Sequence, residues 1–159
     1  MMKYFFWFIL VIFSFQGLSQ VICDCLETSI NSAVTVYKDS ISNGNLWENG
    51  VESNVPNLGV SETTWWVEFN IRSECEDQLF LTVQKPSLDS LTLLEMIDGK
   101  LSVVSELGDF VEINNRLFPT PNYIFQLPIE KHEMKSFVLK VRSFDQIQLP
   151  LIVSSSEQI

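Results

Sequence analysis

The stretch "TWWVEFNIRS", Thr64 to Ser73, decides the fold. Trp65, Val67, Phe69 and Ile71 fall on one face of an extended chain, and Trp66, Glu68, Asn70 and Arg72 on the other. Successive side chains on a strand point to opposite faces, so a period of two marks a strand with one face in a core. Beyond the acidic turn "ECED", "QLFLTVQK" (78–85) places Leu79, Leu81 and Val83 inward. "SLTLLEM" (90–96) is a third strand, closed by "IDGK", whose Asp-Gly pair is a strong hairpin signal. "LSVVSEL" (101–107) pairs back.

The same pattern continues in both directions. "SAVTVYKD" (32–39) is a short strand, and Tyr123, Phe125 and Leu127 mark another. "SFVLKVRS" (136–143) and "QIQLPLIVS" (146–154) finish the chain, with Pro150 suggesting an edge strand or a bulge. "SISNGNLWENGVESNVPNLGVSE" (40–62), rich in Asn, Gly and Ser, reads as a long loop. Only "CDCLETSINSA" (23–33) has a brief helical reading. About eight short strands with regular turn signals predict an all-β, jelly-roll-like β-sandwich of antiparallel strands. Without helix-length crossovers, parallel α/β architectures are excluded.

The first 19 residues read as a secretory signal. One lysine precedes an apolar run from Tyr4 to Phe15, and small residues at Gly17 and Ser19 fit a cleavage site. The run is shorter than the roughly 20 apolar residues a membrane-spanning helix needs. The expected organisation is therefore signal peptide 1–19, N-terminal lead-in 20–31, β-sandwich 32–154 and C-terminal tail 155–159, in an exported protein on the periplasmic or extracellular face of a bacterial envelope. Without the leader there remain nine basic against twenty acidic side chains, a net charge of −11. That argues against nucleic acid and anionic membranes, both of which select basic surfaces.

An oxidising compartment permits a disulfide, and Cys25 with Cys75 would close a loop of about 50 residues, leaving Cys23 over. Cys23 then offers a route to a disulfide-linked homodimer. Three cysteines with no fourth ligand make a poor zinc site, and neither metal nor cofactor is expected. The one histidine, His132, lies in the polar turn "IEKHEMK". Motifs for a nucleophilic serine, a zinc protease, a phosphate loop or a dinucleotide are missing. A glycosidase would need two carboxylates across a cleft, and nothing singles out a pair. The chain is not expected to be an enzyme.

The ordered strands resemble one family. "TTWWVEFNI" is similar to the first core strand of a bacterial sensor ectodomain, and "LFLTVQKPSLDSLTLLEMIDGK" to its next hairpin. "GDFVEINNR" resembles its Gly-Asp, gap, Arg element, and "FQLPI", "FVLKVRS" and "LPLIV" its closing strands. The family is the second type of extracellular domain of seven-transmembrane receptors with diverse intracellular signalling modules (7TMR-DISM). The resemblance runs from Ala33 to Val153. It implies a sandwich similar to carbohydrate-binding modules that senses a carbohydrate or related small molecule, coupled to a membrane signalling module expected outside this chain. Trp66, Asp89, Gly108, Asp109 and Arg116 match the family's motif positions, while Leu94 stands where an aromatic residue is common.

The expected ligand-binding residues are Trp66, Asp89, Asp109 and Arg116. Trp66 shares its face with Glu68, Asn70 and Arg72, the mixture of aromatic plane and polar groups a sugar site needs. Gly108 and Asp109 suit a tight turn, Pro119 and Pro121 stiffen the following segment, and Arg116 presents fixed donors for carboxylates or hydroxyls. The alternative is that Arg116 pairs internally with Asp109 or Asp89 and closes one end of the sandwich. Trp47, in the long loop, is a lid or a plug. A second functional class, a structural domain docking a partner protein in the cell envelope, stays open.

Overall fold

The alternation around Phe69 is the middle of a much longer strand. The structure, a computed structural model, describes residues 20–38, 51–53, 56–112 and 116–159. Among them are eleven strands: β1 Gln20–Cys23, β2 Thr28–Ser29, β3 Val34–Lys38, β4 Val51–Ser53, β5 Asn57–Ser73, β6 Leu79–Val83, β7 Ser90–Ile97, β8 Lys100–Leu107, β9 Tyr123–Gln126, β10 Met134–Gln148 and β11 Leu151–Ser155. They form two sheets, an all-β sandwich. The larger runs β4-β3-β5-β10-β7-β8, with β1 beside β5; the smaller runs β2-β11-β6-β9. All pairings are antiparallel except β1 with β5, which is parallel.

The core lies between the sheets. Val67, Phe69 and Ile71 of β5 and Phe137, Leu139 and Val141 of β10 are fully buried. Leu81 and Val83 of β6, Phe125 of β9 and Leu151 and Val153 of β11 meet them from the smaller sheet. Phe69 and Phe137 are register partners, with ring centroids 5.9 Å apart. Each such side chain contributes about 1.5–3 kcal/mol by leaving water. A second cluster, Trp66, Leu94 and Val138 with Tyr37 and Leu101 against it, occupies the opposite face of the larger sheet. That sheet is thus apolar on both sides near its centre, which a strict inward/outward reading of β5 does not anticipate.

Three boundaries differ from the sequence expectation. The strand starting at Asn57 occupies the end of the expected loop, because Gly59 and Asn57 pair with Ile147 and Gln148 across bulges in β10. Gly59 takes a φ of +69°, which a glycine adopts at little cost. The segments 136–143 and 146–148 are one strand, and Pro150 lies in the link where the chain crosses from β10 to β11. There its missing N–H leaves no gap in a ladder, and its carbonyl accepts from Gln84 N–H at 3.0 Å. The lead-in contributes to both sheets, β1 to the larger and β2 to the smaller, and its brief helical turn is a 3-10 turn at Asn31–Ala33. The expected signal peptide, 1–19, and Trp47 lie outside the described residues.

Cys25 and Cys75 form a disulfide across 50 residues, anchoring the lead-in to the end of β5. Cys23 is free and fully buried. Burial, then the neighbouring Asp24, pushes its thiol up to about 11. A disulfide from Cys23 to another copy therefore requires β1 to leave the sheet. Among the described residues one His/Cys/Asp/Glu group is compact enough for a metal, Cys25, Cys75 and Asp77, and both its sulfurs are in the disulfide. His132 is exposed, its Nδ1 2.8 Å from Glu74 Oε2.

Candidate functional site

Strand β8 ends at Leu107, and the chain turns at Gly108 against the start of β7. Gly108 has a φ of +134°. A Cβ there would lie 2.4 Å from the Asp89 carbonyl oxygen and 2.9 Å from Ser90 Cα. Backbone packs where a side chain would be, so only glycine fits. The turn is fixed by Asp109 N–H donating to Leu88 O at 2.9 Å and Phe110 N–H donating to Asp89 O at 3.3 Å.

Tyr123, at the start of β9, ties this turn from beneath. Its hydroxyl donates to Asp109 Oδ1 at 2.7 Å, has the Leu88 carbonyl in reach at 3.1 Å, and accepts the Leu88 N–H at 3.1 Å. Burial, with the Asp109 bond next, raises its pKa above the usual tyrosine range. Arg116 folds over the Tyr123 ring, its Cζ 4.9 Å from the centroid. Its Nη2 lies 3.6 Å from Asp109 Oδ1 and donates to Gly108 O at 3.4 Å, while Nη1 donates to Thr120 O at 3.5 Å. The side chain is only 11 % exposed. Asp109, Arg116 and Tyr123 thus form one hydrogen-bonded knot that fastens the loop to the end of the sandwich.

Asp89 faces the other way. Its Oδ2 accepts the Phe144 N–H at 2.6 Å and the Ser143 hydroxyl at 3.1 Å. These groups sit where the β10–β5 register shifts, between Val141 and Ile147. A bulge releases backbone donors from the ladder, and a carboxylate takes one up here. Asp89 also lines a cleft of about 320 Å³ with Thr64, Phe110, Lys140, Arg142 and Phe144. Phe110 and Phe144 are 75 % and 52 % exposed. Lys140 and Arg142, two apart on β10, share the outer face of the larger sheet. The Lys140 ammonium stands 5.3 Å from the Trp66 ring centroid and the Arg142 guanidinium 5.7 Å from that of Phe144.

The four expected residues therefore divide. Asp89, Asp109 and Arg116 come together around Gly108, and Asp89 alone of the three lines the cleft. Trp66 lies farther along the outer face, 9 % exposed, beneath Lys140. Of its expected companions, Glu68 accepts from the Tyr37 hydroxyl at 3.2 Å, Asn70 bonds Ser136, and Arg72 pairs with Glu74. Sequence reasoning missed Thr64, Phe110, Lys140, Arg142 and Phe144. A signal was present: in "LKVRSF" alternate positions carry Lys, Arg and Phe, a charged and aromatic outer face on a core strand. Two other clefts are present among the described residues. One, of about 330 Å³, lies between the sheet edges β8 and β9 and is lined by Val104, Leu107, Leu117 and Ile124. The other, about 180 Å³, crosses the smaller sheet at Thr82, Gln84, Asn122 and Ser154.

Comparison with protein families matches the chain to 7TMR-DISM extracellular 2 over residues 30–155. The chain belongs to this family. The match takes in every strand from β3 to β11, the knot and the cleft, and begins at Ile30, after β1 and β2. The 7TMR-DISM extracellular 2 domain is an extracellular sensory domain of membrane receptors, which places this one outside the cytoplasmic membrane. A search of curated proteins found no match.

Proposed function

We propose that this 7TMR-DISM domain is a non-catalytic sensor that binds a sugar or related small molecule in the cleft beside Asp89 and is coupled to a membrane signalling module. The observation that carries this reading is the cleft itself: two exposed phenylalanines, hydroxyl groups, a carboxylate and two cations converge on about 320 Å³. Ligand pockets commonly start near this volume and combine apolar walls with a few placed polar groups. Phenylalanine faces suit the C–H faces of a sugar ring, and Thr64, Ser90 and Asp89 suit its hydroxyls. The knot of Asp109, Arg116 and Tyr123 serves the cleft indirectly, by fixing the turn that carries Asp89 and Phe110. No acid–base pair is needed for binding, and a ligand that favours one conformation of a coupled receptor shifts its equilibrium.

The test is a thermal-shift screen of the purified protein against mono- and oligosaccharides, repeated on Phe144→Ala. A ligand at 100 times its Kd adds about 2.7 kcal/mol to stability, several degrees in Tm. A shift in the parent that disappears in a folded Phe144→Ala supports the reading. A shift that survives the substitution moves the site elsewhere.

A second reading, docking of an envelope partner, is favoured by the β8–β9 cleft. Both strands are sheet edges, Val103 and Leu117 are each 58 % exposed nearby, and an unpaired edge invites an added strand. Leu117→Asp would abolish capture of such a partner and leave sugar binding intact.

A further inference from the structure

We infer that the ligand of the Asp89 cleft carries a carboxylate, as a hexuronate does, and that Lys140 and Arg142 receive it. This rests on the cleft being the binding site, as proposed above. The chain is strongly acidic, with 20 carboxylate side chains against 10 basic ones. Among the described residues, Arg72, Arg116, Lys131 and Lys135 each have a carboxylate within 4 Å. Lys38, Lys85, Lys100, Lys140 and Arg142 have none there, and of these five Lys140 and Arg142 line the cleft. Nor do they guard a sheet edge, one structural use of charged residues. Strand β10 is central, between β5 and β7.

The contacts these two cations do make hold them without neutralising them. Lys140 lies over Trp66 and Arg142 over Phe144, and an aromatic face attracts a cation while leaving its charge available. The nearest fixed negative group of the cleft is Asp89, and its Oδ2 is engaged by the Phe144 N–H and the Ser143 hydroxyl. Its Oδ1 has no protein donor among the described residues, which suits a ligand hydroxyl rather than a second anion. Arg142 offers parallel N–H donors that match a carboxylate in bidentate geometry, and Lys140 adds a point charge. Two cations, a carboxylate, hydroxyls and phenylalanine rings meeting in one cleft, with Ser90 the register partner of Arg142, match a sugar acid better than a neutral sugar.

The experiment is isothermal titration of the purified protein with two matched pairs: D-glucuronate against D-glucose, and D-galacturonate against D-galactose. It is repeated on Lys140→Met and Arg142→Met, which keep apolar stems at exposed positions and leave the core untouched. At least one acid is expected to bind at least about tenfold more tightly than its neutral partner, with each substitution removing about tenfold or more. Raising sodium chloride from about 50 mM to about 500 mM should weaken the acid and spare the neutral sugar. Neutral sugars binding as tightly as the acids would overturn the inference and leave the sensor reading standing. Acid binding indifferent to both substitutions would overturn it by placing the anion elsewhere. No binding by either kind of sugar would overturn it together with the sugar-sensor reading of this cleft.

Discussion

Gly108 is the residue on which the site's frame depends. Its φ of +134° and the Asp89 carbonyl 2.4 Å from a would-be Cβ involve backbone on both sides, so no side-chain rotation relieves the clash. Gly108→Ala should cost at least about 2 kcal/mol in urea denaturation, through strain and the loss of the Asp109 and Phe110 amide bonds. Tyr123→Phe keeps the ring under Arg116 but strands the Leu88 N–H, and should cost about 1–3 kcal/mol in the same measurement. The Gly-Asp turn and the Arg116–Asp109 pairing were legible in sequence, because both rest on local backbone chemistry and on charges a few residues apart. The use of Tyr123 as the fastening was not. Its inward place in β9 reads as a core aromatic, and only the arrangement of β7, β8 and β9 ends brings its hydroxyl to Leu88 and Asp109.

At the scale of the element, β10 does most to shape the site. Its bulges turn Ser143 and Phe144 toward Asp89, and its alternation lines up Lys140 and Arg142. The alternation was visible in the sequence, while the bulges, which depend on pairing with a partner 70 to 90 residues away, were not. On the neighbouring β5, Glu68 is partly buried beneath the outer cluster. Burial raises its pKa above the usual carboxylate range, against the opposing effect of the Tyr37 hydrogen bond. Burial, then the same carboxylate, pushes Tyr37 up to about 12. A raised carboxyl pKa means the folded state prefers the protonated form, so this contribution is present in acid and lost as pH rises through the folded pKa. Glu68→Gln should therefore raise Tm at pH near 7.5, with the gain shrinking as pH falls toward 5. An advantage that grows in acid would contradict that. The Cys25–Cys75 crosslink spans 50 residues and should contribute about 4 kcal/mol in the chain-entropy model, read as the drop in denaturation free energy when both cysteines are replaced by alanine.

On the scale of the whole molecule, two sheets share one core, and chemistry is set on the outer face of the larger. The sandwich was legible because period-two alternation runs through β5 and much of β10 and Asp-Gly marks the β7–β8 hairpin. The parallel pairing of β1 was not, since a four-residue strand carries no signal of its partner. The cleft was legible only in part. Asp89 was named for a motif position, but Phe110, Lys140 and Phe144 meet it across three separate segments of chain. The backbone amide of Phe144 reports on that meeting directly, because it donates to Asp89 and stands at the mouth of the cleft. The most direct measurement is an amide-resolved NMR titration of the protein with D-galacturonate and D-glucuronate. Shifts concentrated at Ser90, Phe110, Arg142 and Phe144, with Val104, Leu107 and Ile124 unmoved, are the predicted result. Shifts confined to the β8–β9 edge, or none at all with either acid, would contradict it.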